Sequence, residues 1–169
     1  MLKVNDKVLY GLNGVCTIVD IKKLPMMSRK EAGPDYYFLS PMGSRPDHII
    51  YVPVDKVQSE NNVMRALLSG EELEGFLKRI SVIEPLVIRN EKLRRDEYKQ
   101  AMLELTPEKC VSVIKSVRLR KSGASEHRKN ISETDLEFEK LALKTVCSEL
   151  SCVLEISVEE AEYMVDDAL

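Results

Sequence analysis

The sequence predicts an α+β protein in two parts, a small β-rich domain followed by a helical bundle. Three observations predict it. Short alternating apolar runs separated by Gly, Pro, Asn and Ser fill residues 1–57. After Lys56 the apolar period changes from two to about 3.6. Hydroxyl residues at helix-start positions then recur through the second part. A length of 169 residues suits one domain or two small ones, and the change of period places the boundary near residue 57.

In the first part, strands are expected at Asp6–Tyr10, Val15–Ile21, Tyr36–Leu39 and His48–Val54. Gly11-Leu-Asn-Gly14 offers two glycines that tolerate positive φ, so the first two strands should form a hairpin. Residues 25–35 read as a long loop. A short helix is expected at Val63, Met64, Leu67 and Leu68, as a connector.

Five longer helices should follow. Their apolar stripes run through Leu73, Phe76, Leu77 and Ile80, then Tyr98, Ala101, Met102 and Leu105, then Cys110, Val113, Ile114 and Val117. A fourth uses Leu143, Val146, Cys147, Leu150 and Leu154, and a fifth Val158, Ala161, Val165 and Ala168. Thr106 before Pro107 marks a start, because a hydroxyl caps free amides and proline at the first helical position loses no hydrogen bond. Ser132 with Asp135 and Ser157 with Glu160 have capping-box spacing. Residues 121–130 read as a polar, basic loop.

Composition excludes several classes. With 44% hydrophobic and 31% charged residues, the chain is neither collagen-like nor wholly disordered. It lacks a membrane-spanning apolar run and the apolar stretch of a signal peptide, so a cytoplasmic location is expected. The net charge of −3 hides an asymmetry: residues 106–131 carry 7 cations against 2 anions, and residues 132–169 carry 2 against 11. A basic middle can meet nucleic acid, but the total gives no support to generic polyanion binding.

Catalytic chemistry has no foothold in the sequence. It contains no phosphate-binding glycine loop, nucleophile elbow or zinc-protease motif. His48 and His127 are isolated, and Glu71-Glu72 and Asp166-Asp167 point apart on helices. Cys16, Cys110, Cys147 and Cys152 form no C-x-x-C pair, and Cys147 and Cys152 stand about 140° apart around a helix, so reduced thiols are expected. No enzyme activity, metal or cofactor is expected.

The basic segments carry a sharper signal. Arg89, Lys92, Arg94, Arg95 and Lys99 form one cluster, interleaved with Glu91, Asp96 and Glu97. Arg118, Arg120, Lys121, Arg128 and Lys129 form another. Each is either a solvated helix face or a phosphate-gripping surface. Beside the first lies Pro85-Leu-Val-Ile88, which is either inter-helix core or an apolar wedge against an opened minor groove. The β domain has sheet edges that could accept a partner strand.

The segments Val4-Asn-Asp-Lys-Val-Leu-Tyr-Gly11, Gly14-Val15, Asp35-Tyr-Tyr-Phe-Leu39 and Ile50-Tyr-Val-Pro-Val-Asp-Lys56, in this order and spacing, resemble the CarD family of bacterial RNA polymerase-binding regulators. The resemblance extends through Arg65–Leu68, Glu71–Ile80, Leu86–Lys99, the helix from Pro107, Asp135–Leu154 and the terminal helix. It implies a small Tudor-like β-barrel over residues 1–57, shared with the transcription-repair coupling factor, and an all-helical domain over residues 58–169. It also implies docking on the polymerase β subunit and a helical domain that holds open the upstream edge of the transcription bubble.

Two departures are evident. The family's wedge tryptophan is absent, and Val87 aligns in its place. The basic residue that relatives place in the last strand aligns with Tyr51, leaving Lys22, Lys23 and Arg45 as further polymerase-contact candidates. The expected protein is therefore a monomeric transcription regulator that meets polymerase through Lys22, Lys23, Arg45 and Tyr51. It would touch promoter DNA, only when tethered by polymerase, through Val87, Arg89, Lys92, Arg94, Arg95 and Lys99. A polymerase-bound adaptor without DNA contact is the alternative.

Overall fold

The computed structural model describes residues 2–24, 34–58, 63–126 and 131–169. Two compact units divide the chain, Met1–Leu67 and Leu68–Leu169.

The first unit is a five-stranded antiparallel sheet. Its strands are β1 (Lys7–Tyr10), β2 (Gly14–Lys23), β3 (Asp35–Pro41), β4 (Ile50–Pro53) and β5 (Met64–Ala66), in the order β4-β3-β2-β1-β5. The expected hairpin joins β1 to β2 through a tight turn in which Gly11 and Gly14 take φ of 45° and 73°, values open to glycine at little cost. Val8, Cys16, Ile18, Tyr37, Leu39, Val52 and Met64 form the buried cluster on one face.

A bulge in β2 keeps that face apolar. Cys16 and Ile18 point inward, and strict alternation would bring Asp20 in and Ile21 out. The register shifts between Ile18 and Asp20, leaving Val19 as the extra residue, so Ile21 packs on the core and Asp20 faces outward.

Two expectations need correction here. The expected strand His48–Val54 is shorter: β4 stops at Pro53, and Val54–Gln58 forms helix α1. The connector at residues 63–68 is not a helix but contains β5, which pairs with β1 at Val8↔Ala66, Leu9↔Arg65 and Tyr10↔Met64. Without β5, the outer edge of β1 would leave backbone groups unpaired. The β unit therefore runs to Leu67, ten residues past the expected boundary at 57. Residues 25–33 of the expected long loop lie outside the described residues.

The second unit holds α2 (Gly70–Arg79), α3 (Arg94–Leu103), α4 (Pro107–Glu126), α5 (Glu133–Leu154) and α6 (Val158–Ala168), with 3-10 turns at Ile80–Val82 and Glu91–Leu93. Ser69 and Ser157 cap α2 and α6 with complete capping boxes to Glu72 and Glu160. Thr106 Oγ1 accepts from Lys109 N at 3.3 Å as α4 begins. The core draws on the predicted stripes: Leu73, Phe76, Ile80, Tyr98, Met102, Ile114, Val117, Val146, Leu150 and Val165 are buried, whereas Leu77, Leu143, Leu154 and Ala168 are half-buried.

Helix α4 continues through Gly123 to Glu126, where a loop was expected from Lys121. Ion pairs from Arg118, Arg120 and Lys121 anchor this end, outweighing glycine's poor helix propensity. His127, Arg128 and Lys129 lie outside the described residues.

Candidate functional site

The outward face of the sheet displays part of the first residue set. Tyr51 on edge strand β4 is 52% exposed and meets Phe38 edge-on, with ring centroids 4.8 Å apart. Lys22 Nζ lies 4.7 Å from the Phe38 centroid and 2.7 Å from Asp20 Oδ2. These side chains share one face because Tyr51 pairs with Phe38, and Phe38 with Asp20, two residues before Lys22. The Lys22 pairing holds the Asp20 carboxyl below the usual carboxylate range.

Lys23 is exposed at the end of β2, opposite Asp35. Arg45 is exposed too, but it lies in the connection after Pro41, at the other end of β3. A strand of that length separates it from Lys22 and Lys23 by roughly 20 Å. The structure thus groups Lys22 with Tyr51, and leaves Arg45 apart.

Residues 2–67 match the family model of the CarD-like/TRCF RID domain. The N-terminal unit is a CarD-like domain. It has the Tudor-like β fold that the sequence resemblance implied, and it gives residues 2–67 of this chain an RNA polymerase-interacting domain of the CarD type. The match covers all five strands, including β5, so the CarD-like domain and the first structural unit coincide. No curated protein matches the chain.

In the unit that follows the CarD-like domain, the second residue set centres on an irregular segment, residues 83–90, between two 3-10 turns. Val87 is 76% exposed, which overturns the inter-helix core reading for this residue; Leu86 and Ile88 beside it are half-buried. Leu86 and Val87 wall an open groove whose other side is Leu93 and the α3 residues Asp96, Glu97 and Ala101.

The basic residues around Val87 have different fates. Arg89, Lys92 and Lys99 are exposed and form no ion pair among the described residues. Arg95 and Lys99, four residues apart on α3, share a stripe, and Lys92 lies in the turn before it. Arg95 is held by a two-pronged contact to Glu137, at 2.8 and 3.1 Å, and stacks on Phe138 at 5.7 Å.

Arg94 does not belong with the exposed set. Its side chain is 20% exposed, Nη1 is 2.7 Å from Glu91 and Nη2 donates to Ser132 Oγ at 2.9 Å. Its Nε lies 3.2 Å from Asp135 Oδ1, an ion pair without hydrogen-bond alignment. Asp135 is buried and also accepts from the Tyr98 hydroxyl at 2.9 Å and from Ser132 Oγ at 2.6 Å. Arg94 therefore ties α3 to the start of α5. The Ser132 cap, legible in the sequence, is one corner of this network, whereas its link to Arg94 and Tyr98 joins residues far apart in the chain.

The second basic cluster is likewise paired. Arg118 contacts Glu139 at 3.2 Å and Asp166 at 2.7 Å, Lys121 also bonds Glu139, and Arg120 bonds Glu91. Arg120 and Arg94 hold the Glu91 carboxyl below its ordinary range. Among the described residues no group of three His, Cys, Asp or Glu could hold a metal ion. Cys16, Cys110 and Cys147 are buried and Cys152 is half-buried, none of them in a disulfide; burial pushes the Cys147 thiol up to about 12. Among the described residues no helix is long and apolar enough to cross a membrane.

Proposed function

We propose that this protein is a non-enzymatic, cytoplasmic regulator of bacterial transcription. Its CarD-like domain binds the polymerase β subunit through the outward face around Lys22, Phe38 and Tyr51 and the adjoining β4 edge. Its helical unit meets promoter DNA at the upstream edge of the bubble through Val87, with Arg89, Lys92 and Lys99 beside it. The carrying observation is Val87 itself, a valine 76% exposed between two half-buried neighbours, with Arg89, which forms no ion pair among the described residues, lining the same groove. An apolar tip flanked by cations suits an opened base step and its phosphates.

An adaptor without DNA contact has one specific observation in its favour. Arg94, Arg95, Arg118, Arg120 and Lys121 are engaged by carboxylates, and Asp96, Glu97 and Glu104 line the groove beside Val87. A footprint of a promoter–polymerase complex with and without the protein separates the two readings. Altered reactivity at the upstream bubble edge is expected; retained polymerase binding with an unchanged footprint would establish the adaptor.

Val87→Trp sharpens the test. Because the site is exposed, the larger ring has no core to overpack, so the melting temperature should hold. The open complex should outlive the wild-type one after a heparin challenge, since a flat side chain stacks on an unstacked base step. Unchanged decay would count against Val87 as the contact.

A further inference from the structure

The segment that carries Val87 has no regular secondary structure, yet its backbone is tied on both sides. Helix α2 gives way to the turn Ile80–Val82, which Ile83 N closes by donating to Ile80 O at 3.2 Å, and the chain then leaves the helix with its last carbonyls turned toward α4. Lys115 on α4 meets three of them: its Nζ donates to the carbonyls of Ile80 at 2.6 Å, Ser81 at 3.1 Å and Ile83 at 2.8 Å. An ammonium group has three donors, and all three are used here. One turn earlier on the same helix face, Ser112 O accepts from Leu86 N at 2.9 Å.

The far side of the segment is held by Glu97. Its two carboxylate oxygens accept from Arg89 N at 3.0 Å and Asn90 N at 2.9 Å, and Asn90 Oδ1 accepts from Lys92 N at 3.0 Å. Val87 sits between these two anchors and, being largely exposed, contributes little packing of its own. Polar anchors thus hold the segment on both sides, beside the packing of the half-buried Leu86 and Ile88.

We infer that Lys115 is the positioning residue of the Val87 apex, with Glu97 as the second clamp. Lys115 fastens the incoming backbone to α4, and Glu97 fastens the outgoing backbone to α3. The apex is thereby ordered before it meets a partner, which lowers the entropy cost of binding. The consequence for promoters rests on the DNA-contact reading above; the clamp itself does not.

The test uses the full chain with Lys115→Met, which keeps most of the stem and removes the ammonium, and Lys115→Arg, which keeps a cation. Amide exchange at Ile83 and Leu86 should accelerate by roughly tenfold or more in Lys115→Met, the loss expected for hydrogen bonds to a charged donor. Amides of α5 and α6 should keep their rates, and Lys115→Arg should recover part of the protection. Acceleration spread evenly over the helical unit would overturn the inference, because Lys115 would then serve global stability alone. Should Lys115→Met not fold, Glu97→Gln tests the second clamp through exchange at Arg89 and Asn90, where unchanged rates would be equally fatal. On polymerase, Lys115→Met should shorten the open complex, and adding Val87→Asp should shorten it no further than Val87→Asp alone; fully additive effects would overturn the positioning role. If Val87→Asp itself leaves decay unchanged, the DNA reading fails while the exchange result still decides the clamp.

Discussion

Tyr98 is fully buried and donates its hydroxyl to Asp135, so ionising it would set a second anion against that carboxylate inside the core. Burial first, and Asp135 second, push its pKa up to about 12. An unfolded tyrosine ionises near pH 10, so the folded state holds this proton more tightly. The resulting stability is complete below about pH 10 and disappears as the pH rises toward about 12, a span worth about 2–3 kcal/mol. Tyr98→Phe should cost about 1 kcal/mol at neutral pH through the lost hydrogen bond, and should flatten the alkaline decline. Urea unfolding across the alkaline range would show it; a variant that loses stability with pH as steeply as the wild type would refute the assignment to Tyr98.

At the scale of elements, β5 decides where the CarD-like domain ends. It is three residues long, too short to display a period of two, and the spacing of Val63, Met64, Leu67 and Leu68 imitates a helix turn. Met64 nevertheless belongs to the buried cluster, and Gly11 N donates to Val63 O at 2.8 Å as the pairing begins. A fragment of residues 1–67 contains all five strands and this cluster, and is expected to fold and capture RNA polymerase in a pull-down. A fragment ending at residue 57 loses the partner of β1 and should fail to fold, because a domain this small has little surplus stability. Equal capture by both fragments would show that β5 is dispensable.

Over the whole molecule, the charge asymmetry along the chain is folded into internal pairs. The acidic stretch 132–169 supplies Asp135 to Arg94, Glu137 to Arg95, Glu139 to Arg118 and Lys121, and Asp166 to Arg118. Cations committed in this way release few counterions on a duplex, and the net charge of −3 adds repulsion. Free random duplex DNA should therefore bind weakly at physiological salt, with fluorescence anisotropy giving no sub-micromolar affinity. DNA contact would arise when polymerase tethers the helical unit beside the promoter and raises its effective concentration. Tight binding to the isolated duplex would contradict this account.

The sequence by itself determined the α+β class, the β1–β2 hairpin, the helical stripes and the caps at Thr106, Ser132 and Ser157. Each of these is a local property: a period of two or 3.6, a glycine that accepts positive φ, or a hydroxyl that reaches an amide three residues on. The resemblance to CarD proteins was equally readable, because its segments lie in order along the chain. Tertiary structure alone decided the rest. Arg94 and Arg95 are neighbours in one basic run, yet one is drawn inward by Asp135 and Ser132 and the other rests on Glu137 at the surface. Val87 was readable as core or as wedge, and only the tether of Leu86 to Ser112 and the carbonyl grip of Lys115 turned it outward. These outcomes depend on which distant residue arrives within hydrogen-bond reach, and helix packing, unlike periodicity, leaves no mark on the local sequence.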